Sequence, residues 1–209
     1  MTKAIVVVDM LNDFVKKEYE DGQNGLVKGK LVVEGVEGIV NNIRKMRNVA
    51  GLYAGVSMVY ANDAHAKEDP EFIGYGGNWP EHCVKGTTGA EVVPDLMPFA
   101  ADVVLEKQTL FMFSNPDADA VLRQKGVDEL YITGVATEYC VRAAALDAIA
   151  RGYKVNVVVD AIAGVDEIVL ADGTSVPETK GAVARALMEM GNAGARPVYT
   201  ARVLEEIVR

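Results

Sequence analysis

Short, uninterrupted apolar runs separated by helix-patterned stretches set the limits on how this chain folds. "AIVVV" (Ala4–Val8) shows no polar alternation, as a strand covered on both faces requires. "VSMVY" (Val56–Tyr60), "DVVLEK" (Asp102–Lys107), "ELYITGV" (Glu129–Val135), "KVNVVVDA" (Lys154–Ala161) and "RPVYT" (Arg196–Thr200) extend the series. Helical stretches lie between them. Over Val33–Arg47 an apolar stripe of Val36, Ile39, Val40, Ile43 and Met46 ends on basic residues. Asn115-Pro116, a capping residue followed by proline, opens a second helix to about Lys125, with Gly126 as its stop. Thr137 reads as the cap of a third, which Gly152 closes. The alternation predicts an α/β fold: a three-layer, doubly wound, mostly parallel six-stranded sheet with helices on both faces. No internal repeat, low-complexity tract or linker interrupts it, so residues 1–209 are expected to form one domain.

Two segments break the pattern. Ala61 to about Pro98 is long, rich in Gly and Pro and weakly periodic, and loops of that length usually carry function. It is assigned to the active site. "EIVLADGTSV" (Glu167–Val176) places Asp172-Gly173 between apolar runs, which suggests an inserted hairpin with no assigned role.

Charge and cysteine usage narrow the function. A net charge of −9 argues against a surface that tracks phosphates, and so against nucleic acid. No basic start leads into an apolar signal core and no run reaches membrane-spanning length. Two cysteines make no disulfide framework. A cytoplasmic protein with no membrane partner is expected.

In an open parallel sheet, ligands bind beyond the carboxyl ends of the strands, near the point where strand order reverses. Asp9 closes the first predicted strand, Lys107 closes the third, and Cys140 follows the fourth. With Thr137 as the cap, Cys140 falls in the first turn of its helix, among unpaired amides that favour a thiolate, with Lys107 as a further stabilising charge. A thiolate nucleophile needs a proton shuttle, and Asp9 is the candidate because both histidines lie elsewhere. The amides near Ala136 and Cys140 are placed to hold an oxyanion. Each residue also has an ordinary structural reading: Asp9 as a turn cap, Lys107 as a solvated edge residue, Cys140 as core packing.

Both histidines of the chain, His65 and His82, fall in the long loop, with Asp63 two residues before His65 and on the same face of an extended segment. One aspartate and two histidines would suit zinc, manganese or ferrous iron, with a fourth ligand from Glu71, Glu68 or water; two surface histidines are the plain alternative. Cys83 reads as a buried bystander.

Taken together, "VVVDMLNDF", "EKQTLFMFSN", "GVATEYCV" and "WPEHCVKGTTGAE" resemble the isochorismatase-like family of cysteine hydrolases, and within it the nicotinamidases. The resemblance runs from Ala4 to about Leu204. It implies a catalytic Asp9, Lys107 and Cys140, a cis peptide at Val135-Ala136, and an oxyanion hole from the amides of Ala136 and Cys140. It implies that Asp63, His65 and His82 hold one divalent metal ion, zinc first and manganese or iron otherwise, with Glu71 or water as the fourth ligand. Phe14 and Trp79 would flank the substrate ring. The implied reaction converts nicotinamide to nicotinate and ammonia through a Cys140 thioester. N-carbamoylsarcosine or another small amide is the alternative substrate, and isochorismatase-type ether cleavage ranks below both. A homo-oligomer acting on a small-molecule amide is expected. A non-catalytic nucleotide-binding module is disfavoured, since no G-x-G-x-x-G follows a strand.

Overall fold

The computed structural model describes residues 2–166, 168–169, 175–176 and 180–208. Its centre is strand β1 (Thr2–Val8), whose side chains divide between two cores. Ala4, Val6 and Val8 face one cluster, and Ile5 and Val7 face the other, so a strand buried on both sides needs no polar residue. After β1 come a single turn α1 (Asn12–Val15), a hairpin β2 (Glu18–Asp21) and β3 (Gly25–Lys28), and helix α2 (Val36–Ala50). Strands β4 (Val56–Asp63) and β5 (Val103–Lys107) flank the long loop. The chain continues through α3 (Ala118–Gln124), β6 (Val127–Gly134), α4 (Arg142–Ala150) and β7 (Lys154–Ile162). It then runs through β8 (Ile168–Val169), β9 (Ser175–Val176), α5 (Ala182–Ala193), β10 (Arg196–Val198) and α6 (Thr200–Ile207).

The main sheet has six strands in the order β10-β7-β6-β1-β4-β5, and every neighbouring pair is parallel. The chain winds outward from β1 through β4 to β5, then returns beside β1 and winds the other way through β6, β7 and β10. Strand order therefore reverses between β1 and β6, which opens a crevice at their carboxyl ends. Residues of α3, α4 and α5 pack on one face, and those of α2 and α6 on the other. On α2 the buried positions Val36, Ile39, Ile43, Met46 and Ala50 recur at three- and four-residue steps, the spacing of one helical face.

Several boundaries differ from the sequence reading. The second strand runs on to Asp63, which brings a carboxylate to the sheet rim. The last strand stops at Val198, because the Asp160 carboxylate accepts the Thr200 N–H (2.8 Å) and hydroxyl (2.9 Å) and starts α6 there. Asn115 does not cap a helix directly. Its side chain accepts the Asp117 N–H (2.9 Å) in a turn, and α3 begins at Ala118. Helix α6 and the β2–β3 hairpin have no counterpart in the sequence reading. The expected hairpin near Glu167–Val176 is present as β8 paired antiparallel with β9, and its Asp172-Gly173 turn lies outside the described residues.

Gly134 is where β6 comes closest to β1. Its φ is 103°, and a Cβ there would fall on the backbone of Val8, which pairs with Gly134 in register. Gly134→Ala is expected to destabilise the fold by roughly 3–5 kcal/mol, combining an unfavourable φ with overlap against a backbone that cannot retreat. The check is the urea midpoint at constant m-value; an unshifted midpoint would contradict this close approach.

Candidate active site

The reversal crevice gathers four side chains from four strand ends. Asp9 follows β1 with a φ of 50°, Asp63 ends β4, Lys107 ends β5, and Cys140 follows β6. All four are nearly inaccessible. The Lys107 ammonium sits at their centre and donates to Asp9 Oδ2 (2.8 Å), Asp63 Oδ1 (2.5 Å) and Cys140 Sγ (3.4 Å). The other oxygen of Asp9 accepts the Asp63 N–H at 2.7 Å. The ordinary alternative for Lys107, a solvated edge residue, does not hold: the side chain is the hub of a buried charge cluster. Burial alone would favour the neutral amine, but the carboxylates of Asp63 and Asp9 hold Lys107 protonated.

The proton inventory departs from the sequence reading at the thiol. Burial, together with the negative charges of Asp9 and Asp63, pushes Cys140 well above the usual thiol range, and Lys107 does not reverse this. The resting group is a thiol, not the thiolate expected from a helix N-terminus. Burial and the Asp63 charge raise Asp9 to about 6 against the pull of Lys107. At neutral pH an ionised carboxylate therefore stands beside a protonated thiol, with an affinity for protons suited to a general base.

Nor does the turn before Cys140 follow the expected cap. Residues Thr137–Val141 form one π-helical turn whose flanking residue is Ala136, and the buried Thr137 hydroxyl has no hydrogen-bond partner among the described residues. The Ala136 carbonyl accepts from both Tyr139 (3.0 Å) and Val141 (3.1 Å), which is what widens the turn. The Val135–Ala136 peptide bond is cis. The Val135 N–H goes to Val8 O and the Thr137 N–H to Ala163 O. Ala136 and Cys140 both line the cavity in front of the sulfur.

The second half of the site is built by the long loop. His65 and Val84 bridge in parallel, with the His65 N–H on Cys83 O (3.0 Å) and the Lys85 N–H on His65 O (2.9 Å). This pairing sets His65 beside His82, ring centroids 4.8 Å apart. Each imidazole has its Nδ1 occupied: His65 by Asp69 Oδ2 (3.0 Å) and His82 by the Pro80 carbonyl (2.7 Å). Both Nε2 atoms then face Asp63 Oδ2, at 3.7 Å and 3.9 Å. The ligand atoms of Asp63, His65 and His82 lie within 4.8 Å of one another. Two imidazole lone pairs and a carboxylate oxygen converging in this way fit a divalent ion, and the occupied Nδ1 atoms fix the required tautomers. Asp69, which orients His65, was not singled out in the sequence. Glu71 lines the same cavity, whereas Glu68 is exposed and does not.

The candidate metal ligands and the charge cluster share Asp63 and open into one cavity of about 490 Å³. Phe14, Trp79 and Tyr139 contribute aromatic walls, and Leu110 and Val165 close the sides. Phe14 meets His82 edge-on at 5.5 Å between centroids, and Trp79 meets Tyr139 at 5.2 Å. Tyr139 escaped the sequence reading, although it immediately precedes the cysteine. Cys83 is buried and lies outside the cavity lining. Among the described residues, no helix is long and apolar enough to cross a membrane. A flat, ring-sized molecule with one polar end at Cys140 and another at the histidines matches these walls.

A family model described as the isochorismatase domain matches residues 3–201. The nicotinamidase/pyrazinamidase of Mycobacterium tuberculosis is 34% identical over 175 residues, which cover 78% of this chain and 87% of that one. The crystal structure of a Pyrococcus horikoshii pyrazinamidase in complex with zinc is similar at a TM-score of 0.77 and 33% identity, over 95% of this chain and 99% of that one. N-carbamoylsarcosine amidase from Thermoplasma acidophilum is similar at a TM-score of 0.72 and 31% identity, over 96% and 97% of the two chains.

Proposed function

The chain belongs to the isochorismatase family, and from that premise we propose that it is a metal-assisted cysteine amidohydrolase acting on nicotinamide. The observation that carries this reading is the buried Lys107 ammonium held between Asp9, Asp63 and the Cys140 sulfur, three residues that line an aromatic-walled cavity. Relatives named for nicotinamide, pyrazinamide and N-carbamoylsarcosine support hydrolysis of a C–N bond in a small amide.

The reaction follows from the proton inventory. The Cys140 thiol gives its proton to the Asp9 carboxylate as the sulfur adds to the carboxamide carbon. Negative charge moves to the carbonyl oxygen, where the amides of Ala136 and Cys140 receive it. Asp9 passes the proton to the departing nitrogen, the C–N bond breaks, and ammonia leaves a thioester on the sulfur. Asp9 then takes a proton from water as the water oxygen attacks the thioester; nicotinate departs and the thiol is restored. Lys107 keeps Asp9 from holding its proton and balances the charge throughout. Phe14 and Trp79 flank the ring, while Asp63, His65 and His82 would hold a divalent ion, zinc first and manganese or iron otherwise. Such an ion supplies an anchor for the ring nitrogen and so orients the carboxamide toward the sulfur.

The similarity to N-carbamoylsarcosine amidase favours a second reading, in which the substrate is another small amide. Ammonia release from nicotinamide, pyrazinamide and N-carbamoylsarcosine separates the two. The first two are expected to be turned over. Stripping the metal should cut turnover by roughly tenfold or more, and zinc should restore it. Turnover of N-carbamoylsarcosine alone would move the substrate, and full activity without metal would remove the ion from the reaction.

A further inference from the structure

We propose that Asp13 is the positioning residue that fixes His82 for metal binding; this rests on Asp63, His65 and His82 being the metal ligands. Asp13 lies on the one-turn helix α1, is 3% exposed, and does not line the cavity. Its Oδ2 accepts the Cys83 N–H at 2.8 Å and its Oδ1 accepts the Tyr19 hydroxyl at 2.7 Å. The first of these bonds matters most, because that N–H belongs to the peptide joining His82 to Cys83. Holding it fixes the plane of that peptide and hence the direction in which the His82 side chain leaves the backbone.

The backbone there needs such an anchor. Cys83 has a φ of 44°, in the left-handed region that a cysteine rarely adopts unless its surroundings impose it. The Cys83 carbonyl also accepts the His65 N–H at 3.0 Å, so the strip bearing one histidine is tied directly to the other. The carboxylate of Asp13 is itself confined. A Cβ on Gly89 would come within 2.7 Å of Asp13 Cγ and 2.9 Å of Oδ1, and would overlap Oδ2. Gly89 thus leaves room for the carboxylate where it meets the Cys83 amide. Next in sequence, Phe14 packs on the His82 ring. One turn of helix therefore secures His82 from both its backbone and its ring.

Zinc affinity of the metal-stripped full-length chain, measured by competition with a chromophoric chelator, tests this beside the Tm of the same stripped samples. Asp13→Ala is expected to weaken zinc binding by about 10- to 100-fold, the range found when groups that orient metal ligands are lost. Asp13→Asn should restore affinity close to wild type, since its amide oxygen accepts from Cys83 and its NH2 donates to the Tyr19 oxygen. Should Asp13→Ala not fold, Gly89→Ala, which displaces the carboxylate without deleting it, carries the same expected loss. Tyr19→Phe removes the hairpin bond alone, and should lower Tm by roughly 2–4 °C with zinc affinity unchanged. Wild-type zinc affinity in both Asp13→Ala and Gly89→Ala would overturn the proposal. So would a loss in Tyr19→Phe equal to that in Asp13→Ala, which would mark the effect as general loosening. A wild-type chain that takes up no zinc would remove the metal reading, and this one with it.

Discussion

Replacing Cys140 with alanine is expected to lower kcat for ammonia release from nicotinamide by about 10⁴-fold or more, with the fold intact. The size of the effect follows from what remains. Without the sulfur there is no thioester, and the only route left is direct attack by water in a cavity arranged for a different nucleophile. Cys140→Ser is expected to be nearly as damaging, because a hydroxyl gives up its proton far less readily than a thiol to a carboxylate titrating at about 6. The fold should survive because Cys140 contributes a small apolar surface to its core cluster and no hydrogen bond that closes the turn. Rate and urea midpoint measured on the same samples separate chemistry from stability. Undiminished ammonia release from Cys140→Ala would rule out the thioester.

The second large effect is expected from Lys107→Met, and it should fall on stability and activity together. In the intact protein one buried ammonium compensates the carboxylates of Asp9 and Asp63, with Lys107 and both acids almost wholly shielded from water. Removing it leaves the Asp63 carboxylate uncompensated and drives Asp9 to take up a proton. Breaking a buried charge pair from one side typically costs about 3–5 kcal/mol, which for a chain of this size corresponds to a fall in Tm of roughly 10 °C. Activity should be lost as well, because Asp9 without the ammonium keeps its proton and ceases to act as a base. Lys107→Arg is not expected to rescue it: a planar guanidinium does not fit a pocket that brings one Nζ to two carboxylates and a sulfur. A Lys107→Met protein with wild-type Tm would show that the cluster is less tightly coupled than its geometry indicates.

The strands were legible because burial on both faces demands unbroken apolar runs, and "AIVVV" permits little else. Asp9, Lys107 and Cys140 were legible as a group because a parallel sheet brings its carboxyl ends to one rim, whatever their separation in sequence. What stayed hidden depends on particular side-chain contacts, some local and some between distant residues, that no residue pattern announces. Nothing around Asp13 announces a hydrogen bond to Cys83, and nothing in Ala66–Pro70 marks Asp69 as the partner of His65. The β2–β3 hairpin went unread because its strands are only four residues each and largely exposed, without a clear apolar alternation, and Asp21 Oδ1, accepting the Gln23 and Asn24 amides, holds its turn. Thr137 has the residue type of a cap, yet the chain enters a π turn there and its hydroxyl goes unused. The thiol misled for a related reason. A helix N-terminus does favour a thiolate, but burial and two neighbouring carboxylates are tertiary quantities, and here they outweigh it.

Those same quantities divide the labour at the site. In the proposed mechanism the sulfur is kept as a thiol until an amide arrives, the base that removes its proton stands beside it, and the cation that keeps that base ionised touches both. The central claim is that an acyl group passes through Cys140, and partitioning with hydroxylamine tests it most directly. The zinc-loaded protein turning over nicotinamide is expected to form the hydroxamate at the expense of nicotinate as hydroxylamine rises, with ammonia release accounting for the sum of the two. Nicotinate equal to ammonia at every hydroxylamine concentration, with no hydroxamate formed, would contradict it.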